Sequence, residues 1–129
     1  MKIEIPDLTG AECGDIAITA AEGGIGYWSQ IGTYDFERWS PGAGECIEVA
    51  DDFVFYAVYV LDADAQDFRP VLDITPTVLR RGFEIGIEAN WWQMVRLLKL
   101  AREDWMGEID SDTADLIVQA GLFGEQVYG

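Results

Sequence analysis

The sequence predicts an α+β fold, in which a small antiparallel sheet from the first half of the chain packs against two or three helices from the second half. Segments with the composition of strands end near residue 74, and helix-start signals and helical spacing of apolar residues dominate after it. Half of the 129 residues are hydrophobic, which is enough for one folded core. We therefore expect residues 1–129 to form a single domain.

The first helix is predicted from a capping box. Thr9 stands three residues before Glu12, so the threonine hydroxyl can cap the helix while the glutamate reaches back to the cap. Apolar residues then recur at helical spacing as far as Gly23 and Gly24, which end the pattern.

The sheet is predicted from the segments that follow this helix. Residues 25–39 are rich in aromatic residues and glycine, which is compatible with a strand or with an irregular segment, and residues 40–44 form a loop. Residues 45–49 and 52–61 have the composition of strands, and the second is apolar on both faces, which places it at the centre of a sheet. Together with a strand over residues 68–74, they predict an antiparallel meander.

Two helices are predicted next. Thr75 as N-cap and Pro76 at the first helical position predict a helix over residues 76–88. Residues 90–105 predict a second helix that is nearly apolar on all sides. Such a helix is either deeply buried or shared with a partner.

The last helix is predicted near the end of the sequence. Asp112 is expected to cap a helix over residues 113–120, and Gly121 and Gly124 are expected to break it. The apolar pair at residues 127–128 is expected to dock onto the core.

The composition argues against enzymatic chemistry. The chain has no histidine, and therefore lacks the commonest general base and the commonest metal ligand. A calcium loop beginning at Asp110 fails at Ala114, which offers no oxygen ligand, and at Asp115, where glycine is required. We expect no enzyme activity, no cofactor and no metal.

The two cysteines, Cys13 and Cys46, form no metal-binding pattern and follow no secretory signal. The longest apolar run, residues 53–61, is too short to cross a bilayer as a helix. The expectation is a cytoplasmic protein with two reduced, buried thiols.

The charge is the main indication of function. The chain carries 24 acidic residues against 8 lysines and arginines, a formal net charge of −16. Such a charge opposes binding to nucleic acids and anionic membranes and favours basic protein surfaces. The acidic residues predicted to form the partner-binding surface are Asp51, Asp52, Asp62, Asp64, Asp67, Glu103, Asp104, Glu108, Asp110 and Asp112. The alternative interpretation is that these acids only keep the protein in solution and cap helices.

A second hypothesis uses the basic residues, which concentrate between residues 76 and 102. They could hold the phosphate of a small ligand such as a nucleotide signal, with aromatic residues stacking on its base. The candidate residues are Arg80, Arg81, Arg96, Tyr27, Trp28 and Trp91. The alternative is an exposed helix face that pairs with the surrounding carboxylates.

Two segments carry a resemblance. Residues 21–28 resemble an EGGxxYW element, and residues 114–129 resemble an ADxIVQxxLFGExVYG ending. Both are similar to a group of small proteins of unknown function encoded by bacteriophages and prophages. The resemblance implies an accessory protein that acts inside a bacterium.

Taken together, these features favour a non-enzymatic acidic protein that inhibits or modulates a basic, nucleic-acid-binding host protein. A defence nuclease is one such target, and imitation of nucleic acid is the expected mechanism. The alternatives are the small-ligand binder and a self-associating virion or assembly component, for which a homo-oligomer is expected.

Overall fold

The structure, a computed structural model, describes residues 4–42, 44–61 and 71–129 and has the predicted α+β fold. The strands are β1 (Ser29–Ile31), β2 (Tyr56–Val60) and β3 (Val71–Ile74). The helices are α1 (Gly10–Thr19), α2 (Pro76–Glu88), α3 (Trp92–Val95), α4 (Trp105–Glu108) and α5 (Ser111–Phe123). A π-helical turn, Ala20–Gly24, extends α1, and 3₁₀ turns occur at Phe36–Arg38, Arg96–Lys99 and Arg102–Asp104.

The sheet has the order β1-β2-β3, with both pairs antiparallel. Strand β2 is therefore central, as its apolar composition predicts. Its inner side chains are buried, and the Tyr56 hydroxyl donates to the Ala17 carbonyl at 2.7 Å, which holds this face of the sheet against α1. On the other face, Ala57 and Tyr59 are half-buried.

The predicted strand over residues 45–49 is wrong, because this segment has no regular structure. It runs instead across the start of α1: the Glu48 carboxylate accepts from the Ala11 amide at 2.9 Å, and the Cys46 thiol bonds the Asp15 carboxylate at 3.2 Å. Tertiary contacts of its side chains thus replace strand pairing, and β1 takes the third place in the sheet.

Both predicted N-terminal caps at Thr9 and Thr75 are confirmed. Thr9 and Glu12 form the reciprocal capping box of α1, with bonds of 3.0 and 2.8 Å. Thr75 caps α2, Pro76 occupies its first turn, and the helix ends at Glu88 as expected. The next part of the chain turns at Asn90, whose φ of 60° lies in the left-handed region that ends helices.

The single helix predicted over residues 90–105 is wrong. The chain there forms α3 and a 3₁₀ turn, becomes extended at Leu100 and Ala101, and then forms a second 3₁₀ turn and α4. Directly after the break, Arg102 donates to the Glu12 carboxylate and to the Asp7 carbonyl, contacts that tie this part of the chain to the N-terminal segment. Trp92, in α3, is largely exposed.

Helix α5 begins earlier and ends later than predicted. Asp110, not Asp112, is the N-cap, and its carboxylate accepts from the Thr113 amide at 2.8 Å. Gly121 does not break the helix, which continues to the left-handed Gly124. A Cβ at Gly121 would clash with the Val78 carbonyl of α2, so glycine lets the two helix backbones touch.

The remaining expectations on the core are met in part. Cys13 is buried, Cys46 is half-buried, and both are free thiols.

No helix in the part of the chain that the structure describes is long and apolar enough to cross a membrane.

Candidate functional site

A groove with a volume of about 400 Å³ lies between the N-terminal segment and α2. Buried side chains, among them Leu8 and Phe83, form its floor. Exposed carboxylates from both elements stand at its rim. The residues that line it are Glu4, Ile5, Pro6, Asp7, Leu8, Arg80, Phe83, Glu84 and Glu88. We call this feature the acidic groove.

Two arginines hold the N-terminal wall of the acidic groove in place. The Arg80 Nε donates to the Leu8 carbonyl at 2.6 Å, and its guanidinium forms an ion pair with Asp51. Arg102 donates to the Asp7 carbonyl, also at 2.6 Å, and makes two bonds to the Glu12 carboxylate. The segment without regular structure before α1 is thereby fixed against α2.

A second, shallower depression continues the groove along α2. Its volume is about 560 Å³, and it shares Asp7, Arg80 and Glu84 with the acidic groove. Asp51, Thr77 and Arg81 complete its lining. The two depressions together present five carboxylates and two guanidinium groups.

The electrostatics of this surface favour a cation. Burial, the largest single effect, would lower the pKa of Arg80, but the hydrogen bond to Asp51 and the nearby negative charges of Asp51 and Asp7 together outweigh it and raise the pKa. The guanidinium therefore stays charged and paired. Arg81 donates to the Gly121 carbonyl at 3.3 Å. The carboxylates at the rim therefore outnumber the positive charges, and the groove repels phosphate.

The residues predicted to form an anion pocket lie in separate contacts. Arg80 and Arg81 share the second depression, but Arg96 bonds the Glu108 carboxylate and carbonyl at 3.0 and 2.6 Å. Trp91 is half-buried and packs beside Gly86, with a ring carbon 3.1 Å from the place that a Cβ there would take. The structure does not bring these groups together around one ligand.

The two remaining aromatic candidates belong to a polar network around Asp115. The buried Asp115 carboxylate accepts from the Tyr27 hydroxyl at 2.6 Å, from the Trp28 indole at 2.8 Å and from the Gln119 amide at 2.9 Å. Burial of the hydroxyl, with a smaller effect from Asp115, raises the pKa of Tyr27 to about 12, so it stays a donor. Trp28 also stacks on Tyr128 at 5.3 Å and is not open to a ligand.

This network joins the two segments that carry the sequence resemblance. Tyr27 and Trp28 come from the first, and Asp115, Gln119 and Tyr128 from the second. The Gln119 carbonyl accepts from the Val127 and Tyr128 amides, both at 2.8 Å, which docks the C-terminal residues as predicted. These residues serve the fold, since their polar groups bond one another.

The predicted acidic surface divides into residues with internal partners and residues that are simply exposed. Asp51 and Glu108 pair with arginines, and Asp110 caps α5. The bond from the Thr113 amide is the main cause that holds the pKa of Asp110 below its usual value. Exposed on the surface are Asp52, Glu103, Asp104 and Asp112. Asp62, Asp64 and Asp67 lie outside the described residues.

Sequence reasoning missed four carboxylates of the acidic groove: Glu4, Asp7, Glu84 and Glu88. One signal was available, because residues 80, 84 and 88 recur every four positions and share one face of α2. The contribution of the N-terminal segment had no such signal, because it depends on long-range bonds to arginines.

Within residues 4–42, 44–61 and 71–129, no group of three or more cysteines and carboxylates is arranged to hold a metal ion. Comparisons with protein-family models, with curated proteins and with solved structures found no match to this chain.

Proposed function

We propose that this protein is a non-enzymatic binding protein for basic, nucleic-acid-binding proteins, whose nucleic-acid sites it occupies. On this proposal it is a phage-type accessory protein in the cytoplasm of a bacterium, and a defence nuclease is a suitable target. The observation that carries the proposal is the distribution of charge in the part of the chain that the structure describes: three arginines are engaged by carboxylates and carbonyls of the fold, and most of the described carboxylates are exposed.

The engaged arginines are Arg80, Arg96 and Arg102. Each pairs with a carboxylate and also donates to a backbone carbonyl, so their charges are used inside the molecule. The negative charge that remains is at the surface, where it raises the rate of encounter with a basic partner.

The state of the thiols agrees with a binding role. Burial raises the pKa of Cys13 to about 12. Burial, followed by the bond to Asp15, raises the pKa of Cys46 to about 11. Both sulfurs are therefore protonated at neutral pH, whereas nucleophilic catalysis requires the thiolate.

The test is capture followed by competition. Immobilised protein is exposed to a nuclease-treated bacterial lysate, bound proteins are eluted with a salt gradient and identified, and the most abundant one is purified. Its affinity for nucleic acid is then measured with and without the acidic protein. We expect basic proteins to elute at moderate salt, because screening shortens electrostatic interactions to about 10 Å at 0.1 M. We also expect the acidic protein to compete with nucleic acid.

A variant with reduced negative charge tests the electrostatic mechanism. It replaces four exposed acids by amides: Asp52→Asn, Glu103→Gln, Asp104→Asn and Asp112→Asn. Competition by this variant should be clearly weaker than that of the wild type. The proposal fails if captured proteins keep their full affinity for nucleic acid, or if capture does not depend on salt. A nucleotide that raised the melting temperature would favour the small-ligand hypothesis instead.

A further inference from the structure

We infer that the acidic groove is the binding site for a single arginine or lysine side chain in a basic segment of the partner protein. The inference rests on the proposed function and assigns it a point of contact. It differs from the surface predicted from the sequence, since none of the four carboxylates that line the acidic groove was among the predicted acids.

The shape of the groove fits a side chain with an apolar stem. Among the residues that line it are Ile5, Pro6 and the buried Phe83, which offer apolar surface beside the carboxylates. The methylene groups of arginine and lysine pack on such surfaces while the charged end remains among polar groups. At about 400 Å³ the groove is at the small end of the range for ligand pockets, roughly 300–1,000 Å³. It has room for one or two side chains and is too small for a helix.

The carboxylates at the rim supply negative charge that complements a cationic side chain. Glu84 and Glu88 lie one turn apart on α2, and Glu4 and Asp7 face them from the N-terminal segment. Carboxylates on two sides of a groove can accept hydrogen bonds from one guanidinium or ammonium group together, and such charge-assisted bonds are among the strongest in proteins. Arg80 does not cancel this charge, because it is paired with Asp51.

The groove is also held in shape before anything binds. The bonds from Arg80 to Leu8 and from Arg102 to Asp7 fix the wall that carries Glu4 and Asp7. A preformed site avoids the entropic cost of ordering a loop on binding. A charged side chain of a protein partner, presented by its own rigid surface, gains most from such a site.

The test uses a fluorescent octapeptide of alternating glycine and arginine as the probe. Its affinity is measured for the wild type, for the groove variant Glu84→Gln/Glu88→Gln, and for the matched control Glu37→Gln/Glu125→Gln. Both double variants lose two negative charges at exposed positions, and neither control residue lines the groove. Circular dichroism and thermal melting establish that both are folded.

We expect the groove variant to bind the peptide about tenfold more weakly, and the control less than about threefold more weakly. The Nε–H resonance of Arg80, which bonds Leu8 beside the groove, should shift on titration of the wild type. Equal losses in the two variants, or no shift at Arg80, would overturn the inference and leave the proposed function standing. A loss confined to the groove variant, with no capture of basic proteins from the lysate, would support the groove and refute the proposed partner.

Discussion

Replacement of Asp115 by alanine should destabilise the fold strongly. The buried carboxylate accepts three hydrogen bonds, from Tyr27, Trp28 and Gln119. The Gln119 amide keeps two other acceptors, the Tyr27 hydroxyl and the Tyr128 carbonyl. Trp28 is 2% exposed, so in Asp115→Ala its indole N–H loses a partner that water cannot replace. Tyr27 is 57% exposed, and its hydroxyl can bond water.

The size of the effect follows from the indole donor. An unsatisfied buried donor costs about 1–3 kcal/mol, and because the lost acceptor is a carboxylate we expect the upper end, a loss of about 3 kcal/mol. A domain of this size is stabilised by roughly 5–15 kcal/mol, and a loss of about 1 kcal/mol lowers its melting temperature by roughly 4 °C. The predicted fall in melting temperature is therefore about 12 °C.

Urea unfolding followed by circular dichroism measures this loss. Asp112→Ala is the matched control, because it removes an exposed acid from the first turn of the same helix and should cost at most about 1 kcal/mol. Asp115→Asn keeps one acceptor oxygen and should fall between the two. If Asp115→Ala were within about 1 kcal/mol of Asp112→Ala, the argument from unsatisfied donors would be wrong.

Three further predictions concern the packing, the acid stability and the thiols. Gly121→Ala should lower the free energy of unfolding by about 2 kcal/mol or more, because the added methyl group meets the backbone of α2. Gly26→Ala is the control: its methyl group meets nothing within 4 Å, so its melting temperature should be nearly that of the wild type. Burial alone would raise the pKa of Glu12, but hydrogen bonds from Arg102 and from the helix cap together outweigh burial and lower the pKa. The ionised carboxylate therefore stabilises the fold at pH values above 4.5, the pKa in the unfolded chain. This stabilisation is lost as the pH falls through the lower pKa of the folded state. Glu12→Gln should therefore destabilise the protein at pH 7 and much less at pH 3, and an equal loss at both values would contradict the assignment. The pKa values of Cys13 and Cys46, about 12 and about 11, leave both thiols protonated at pH 8. Both should therefore react with a disulfide reagent at least tenfold more slowly in the native protein than in urea. Rapid labelling of the native protein would refute this.

Local signals in the sequence were enough for the elements whose ends are set by neighbouring residues. Thr9 and Thr75 mark the starts of α1 and α2, because a cap bonds amides only three residues away. The apolar composition of residues 52–61 identified the central strand, although the regular pairing covers only Tyr56–Val60. The fold class followed from these elements.

The parts that could not be predicted depend on contacts distant in sequence. Residues 45–49 have the composition of a strand but bond the start of α1, and residues 90–105 have helical spacing but are interrupted where Glu12 holds Arg102. The acidic groove has the same origin, because its N-terminal wall is positioned by an arginine 72 residues away. Spacing along the chain carries no information about such bonds.

The network around Asp115 also has a consequence for how the protein is made. Trp28 and its carboxylate partner are 87 residues apart. At roughly 5–20 residues per second, a ribosome needs about 4–17 s to synthesise the chain between them. During that time the indole and the turn Ala20–Gly24, which α5 later contacts, lack this helix as a packing partner. Closure of the core must therefore wait until α5 has emerged, and contacts of this range also slow folding.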